Sequence, residues 1–221
     1  MYYNVVYGYF IGKDMESSPT IVQNFRNYVL RKVGICSYKY ELAFKVGLAK
    51  VWGYMRVRDQ NAYFFSLVEM LSQKIDKNNV AEMDWNFEIL LDLIEQSSGK
   101  KTIFPHLPNP KLSFAAMPIK EPEFSISHTF TEEQIAKLLE RIPIKNDNIV
   151  RIGNKSAMLS LVREDNKYII YNPSQSSRMV TVNSPIAASK KIFKLLNRYY
   201  DTLSDKLALC VSVYKTIKGV K

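Results

Sequence analysis

Residues 148–173 read NIVRIGNKSAMLSLVREDNKYIIYNP, short apolar runs separated by GNKSA and REDN. IVRIG, AMLSLVRE and KYIIYN are rich in β-branched and aromatic residues and too short for ordinary helices. The pattern predicts strands joined by tight turns, which is an antiparallel arrangement. MVTVN, a few residues on, reads as a fourth short strand, and KLALCVSVYKTI as a last, apolar one.

Outward from this stretch the signals alternate. EFSISHTF shows strand-like alternation, and Thr131-Glu-Glu-Gln134 forms a capping box that opens the helix EEQIAKLLERI. SPIAASKKIFKLLNRYY carries serine and proline at its start, as a helix N-terminus does. Upstream, Ser18-Pro19 precedes TIVQNFRNYVLRKV and Gly34, a helix with an N-cap, a basic last turn and a terminating glycine. YKYELAFKVGLAKVWGYM, DQNAYFFSLVEMLSQKI and VAEMDWNFEILLDLIEQ continue at helical spacing. Between the halves, TIFPHLPNPKLSFAAMPIKEPEF holds five prolines, which preclude a regular element. The expectation is one α+β domain over 1–221: a helical part at 1–100, a Pro-rich crossing segment at 101–127, and a sheet part with two helices at 128–221.

The chain has 221 residues, 47% hydrophobic and 24% charged, an ordinary globular composition that argues against disorder or fibrous repetition. No apolar run reaches the roughly 18 to 20 residues that span a bilayer, and the start lacks the basic region of a secretory signal. The reading is therefore a soluble protein. Cys36 and Cys210 lie in unlike contexts and are expected as free thiols in a reducing compartment. Two cysteines and two histidines do not furnish a zinc site of the usual spacing, and with no Walker loop, GxGxxG or HExxH the sequence implies no cofactor and no metal. The row Asp84, Glu88, Asp92, Glu95 reads as the solvated side of a helix.

The formal net charge is +10, a bias toward acidic partners such as nucleic acid, anionic membrane or an acidic protein. The basic residues are scattered (among them Arg26, Arg31, Lys50, Arg56, Arg58 and Lys190) and read as solvated surface.

Cys36 stands at the mouth of a predicted helix, where the positive helix end stabilises a thiolate. The succession Gly34-Ile35-Cys36, HTFTEEQIAKLLERI, IVRIGNKSAMLSL, KYIIYNPS, helix and last strand resembles the papain-fold cysteine proteases of the YopT type and related bacterial effector domains. The resemblance spans most of the chain on short motifs. It implies a papain-like fold whose central helix starts near Cys36 and packs on an antiparallel sheet. It also implies Cys36 at the nucleophile position, Asn172 of Tyr171-Asn172-Pro173 at the orienting position, and Ser156, before Ala157, where the family has its histidine.

A serine can neither hold a thiolate as an ion pair nor protonate a leaving amine at neutral pH, and general acid-base work contributes about 10² to 10⁴ in rate. Asn172 is not itself disabling, since Cys-His-Asn triads exist. The leading expectation is a degenerate protease-like domain that no longer cleaves by the usual mechanism and acts by binding a host or partner protein, either in a reducing cytoplasm or after secretion into a host cell without a cleaved signal peptide. A second is an active cysteine-dependent hydrolase or acyltransferase with His128 as substitute base, His106 being the other histidine. A third is a basic module for nucleic acid or anionic membrane.

Overall fold

The computed structural model describes residues 21–34, 38–76, 122–142, 148–154, 157–174, 179–197 and 205–215. The N-terminal part gives three helices: α1 (Ile21–Val33), α2 (Tyr38–Arg56) and α3 (Asn61–Asp76). Gly34, at φ 76°, follows α1 where the sequence predicts a terminating glycine. Ser18-Pro19, the expected helix at 80–96 and most of the Pro-rich segment lie outside the described residues.

The rest alternates strand and helix: β1 (Phe124–Thr131), α4 (Glu132–Arg141), β2 (Asn148–Gly153), β3 (Met158–Glu164), β4 (Lys167–Tyr171), β5 (Met179–Val182), α5 (Pro185–Asn197) and β6 (Lys206–Lys215). β1 begins inside the stretch expected to be crossing segment, since Phe124 already pairs with Val213. The capping box is formed: the Gln134 N–H donates to Thr131 Oγ1 at 3.2 Å, and the Thr131 N–H to Gln134 Oε1 at 2.8 Å. At α5 the Ala187 N–H donates to Ser184 Oγ at 3.1 Å, with Pro185 as first helical residue.

The six strands form one sheet in the order β1-β6-β2-β3-β4-β5, every neighbouring pair antiparallel. The chain is thus α+β with an antiparallel sheet. Both faces are covered. Ile149, Val162, Ile169, Tyr171 and Tyr214 point from one face into a core shared with α1, α2 and α3. Val150, Ile152, Leu161, Ile170, Leu209 and Val211 point from the other into a core with Ile135 and Leu139 of α4 and Ile192 and Leu196 of α5. Strand side chains alternate between faces, so a strand buried on both sides reads as a continuous apolar run, as VRIG and KYIIY do.

α2 is the helix that lies along β2 and β3. Gly53 lets it approach: a Cβ there would stand 2.6 Å from Ile149 Cγ2. A glycine in mid-helix costs about 1 kcal/mol against alanine, so its presence marks a contact that a methyl group would break.

Candidate functional site

The direction of α2 follows from its contacts. Arg56, its last residue, grips Glu164, the last residue of β3, with Nε to Oε1 at 2.7 Å and Nη2 to Oε2 at 2.6 Å. Gly53 lies over Ile149, whose partner across the ladder is Val162 of β3. Contacts thus advance along α2 and β3 together, and the two run parallel. At about 1.5 Å per helical residue and about 3.3 Å per strand residue, the start of α2 reaches about 9 Å past the start of β3.

Asn172 sits at that same end. Tyr171 pairs with Ser160, so Asn172 follows beside the first residues of β3. It is buried, and its Oδ1 accepts from the Ser174 N–H at 3.0 Å, an Asx turn that fixes the Tyr-Asn-Pro-Ser corner. Preceding it, Tyr171 is fully buried, with its ring stacked on Trp52 at 5.1 Å between centroids and Phe64 edge-on at 5.6 Å. On the other side of β3, Asn154 and Ala157 close the β2–β3 turn: the Asn154 N–H donates to Ala157 O at 2.9 Å and the Ala157 N–H to Asn154 Oδ1 at 2.8 Å. Cys36, Ser156 and His106 lie outside the described residues, between or beyond these anchored neighbours.

His128 is placed differently. It pairs with Leu209 on β1, on the face that carries Phe130 and the α4/α5 core, and its ring meets Phe130 edge-on at 5.4 Å. α2 covers the opposite face. β1 is also three strand spacings from β3, about 14 Å at roughly 4.8 Å per spacing. The sheet therefore does not bring His128 together with Asn172 or the β2–β3 turn.

A second polar group was not foreseen from the sequence. Cross-strand pairing aligns Ser160 of β3, Arg151 of β2, Ser212 of β6 and Ser125 of β1 in one row, on the α2 side of the sheet. The next row on that face is Met158, Gly153, Cys210 and Ser127. In β6 the burial shows where the helical cover stops: Tyr214 and Ser212 are buried, while Cys210 and Ala208 are exposed. Lys50 of α2 and Arg151 flank the Tyr214 ring, the ammonium 5.9 Å and the guanidinium 3.9 Å from its centroid.

Lys50 and Arg56, expected at the solvated surface, are both only partly exposed, because α2 presses this side onto the sheet. For Arg56 the Glu164 carboxylate compensates, whereas among the described residues neither Lys50 nor Arg151 has a carboxylate partner. Burial, and then the Arg151 charge, push the Lys50 ammonium down to about 8; burial pushes Arg151 down to about 10, partly opposed by Cys210. Burial raises the Cys210 thiol, and this is outweighed by hydrogen bonds from the Ser127, Ser212 and Ser125 hydroxyls together with the Arg151 charge, so the thiol ends below its ordinary value. Cys210 is a free thiol, as expected.

No protein-family model and no curated protein matches the chain. The chemistry available is therefore what these residues supply. No group of three or more metal-ligating side chains gathers among the described residues. The two features that remain are the sheet end shared by α2, β3 and Asn172, and the Arg151–Cys210 row. The second had a faint signal in the sequence, since Arg151, Ser160 and Ser212 each interrupt an apolar strand, but only the register shows that they meet.

Proposed function

We propose that the chain is a papain-like domain that no longer hydrolyses peptides and acts by binding a protein partner. The observation that carries this is the parallel course of α2 and β3, held by Arg56 on Glu164 and Gly53 on Ile149. That course directs the helix mouth to the sheet end where β3 begins and β4 ends at Asn172. A protease-like arrangement needs the nucleophile's helix, the base's strand and the orienting residue at one place. In this chain the base position falls on Ser156, and the described histidine, His128, stands on the other face of the sheet. Loss of the base removes hydrolysis and leaves that end of the sheet as a binding surface.

The test is the alkylation rate of Cys36 against pH, in the natural chain and in Ser156→His. Cys36 of the natural chain is expected to titrate no further below the ordinary thiol value of about 8.5 than a helix end alone brings it, and the histidine to lower its apparent pKa by about one further unit or more through ion pairing. Unchanged titration in Ser156→His would overturn the papain-like geometry. Cleavage of a peptide panel that vanishes in Cys36→Ala would overturn the non-hydrolytic reading.

A further inference from the structure

We infer that Arg151, with Ser160 and Ser212 on the strands either side of it, Lys50 on α2 and Cys210 at the rim, forms a binding site for a small oxyanion of the phosphate class. The argument is independent of the papain-like reading. It begins from what these groups lack. Among the described residues, Arg151 Nε is buried with no hydrogen-bond partner, and in the next strand Ser160, fully buried, has an Oγ with none. A buried donor left unpaired destabilises the fold, and two cations against one ring repel each other. A buried polar group of this kind calls for a ligand, an ion or a water to satisfy it.

The donors are of the kind that reads an oxyanion. A guanidinium offers a planar fork of N–H groups and an ammonium a compact charge. The hydroxyls are already linked, Ser125 Oγ to Ser212 Oγ at 2.9 Å, with Cys210 Sγ 3.8 Å from the first and 3.6 Å from the second. Neighbouring strands set cross-strand side chains about 4.5 to 5.5 Å apart, a spacing that a tetrahedral group bridges with several oxygens. Access is from the rim, where Ser125, Ser127 and Cys210 are exposed, while the space over Gly153 is taken by the Met158 thioether. On the same face Glu123 begins the approach to β1 but pairs with neither cation among the described residues.

Cys210 reports on the site directly. Its alkylation by iodoacetate, an anion, is compared with that by neutral iodoacetamide, the modified peptide being resolved by mass. N-acetylcysteine at the same pH and ionic strength sets the reference ratio. Relative to that reference, the site should raise the iodoacetate-to-iodoacetamide ratio at Cys210 about tenfold, the order expected for one partly screened charge contact. Inorganic phosphate should suppress the iodoacetate reaction saturably, and chloride of equal ionic strength should not. Arg151→Met should return the ratio to the reference; if that variant does not fold, Lys50→Met serves, with a partial fall. A Cys210 ratio equal to that of N-acetylcysteine, or equal suppression by phosphate and chloride, would overturn the site.

Discussion

Lys50 is the residue at which packing and charge oppose each other most plainly. It sits on the helix that lies along β2 and β3, beside Arg151 and the Tyr214 ring, with its ammonium pushed down to about 8. The unfolded chain holds that proton to about 10.4, so between about pH 8 and 10.4 it binds more protons than the folded one, and stability contributed by this group rises with pH across that window. Below pH 8 the full penalty applies. Lys50→Met keeps the apolar stem and removes the charge. It is expected to melt higher than the natural chain at pH 7, with the gap narrowing as pH approaches 10, measured by calorimetry on both chains. A gap that does not change with pH would mean that packing, not charge, sets the difference. None of this was legible in AKVWGYM, because a lysine at helical spacing beside apolar residues reads equally well as a solvated one.

At the scale of elements, the turn between β3 and β4 shows local chemistry sufficing. Asp165 and Asn166 occupy the left-handed region at φ 45° and 64°, the pair of positive values a two-residue type I′ turn requires. Asn166 Oδ1 also accepts from Arg163 Nη2 at 2.9 Å. Asn166→Ala is expected to lower stability by about 1 to 2 kcal/mol, since alanine gains nothing in that conformation, whereas Asn166→Gly should stay within about 0.5 kcal/mol. Urea titration of both variants checks this. The capping box at Thr131, the serine and proline before α5, and Gly34 after α1 were legible for the same reason: each is a contact between residues a few positions apart. The start of β1 was less so. The prolines Pro118 and Pro122 stand just before it, while its place in the sheet depends on pairing with β6 far along the chain.

Over the whole molecule, one sheet separates two cores, and β2 and β3 contribute to both. Val150 and Ile149 are chain neighbours on opposite faces, so a shift of either strand disturbs both layers. The described domain is expected to unfold as one unit. Trp52 lies in the α1–α3 core, so in a Trp85→Phe background tryptophan fluorescence reports that layer while far-ultraviolet circular dichroism reports both. Coincident denaturation curves are expected, and separated midpoints would show two independent layers. Phe64→Ala and Ile192→Ala, one in each core, should cost about 3 to 5 and about 2 to 5 kcal/mol.

Among the described residues, the sequence by itself determined which segments are helices and which are strands, and where most of them start and stop. Those outcomes rest on periodicity, capping and turn geometry within a few residues. It also determined that Ser156, not histidine, stands before Ala157 in the β2–β3 turn. Only the tertiary structure decided which face each strand turns to α2, and hence that His128 lies on the far side of the sheet from it. It alone set the register that lines up Ser160, Arg151, Ser212 and Ser125, and the point along β6 where the helical cover ends at Cys210. The physical reason is one of range: register and cover are fixed by packing between residues tens of positions apart, for which a local pattern carries no signal.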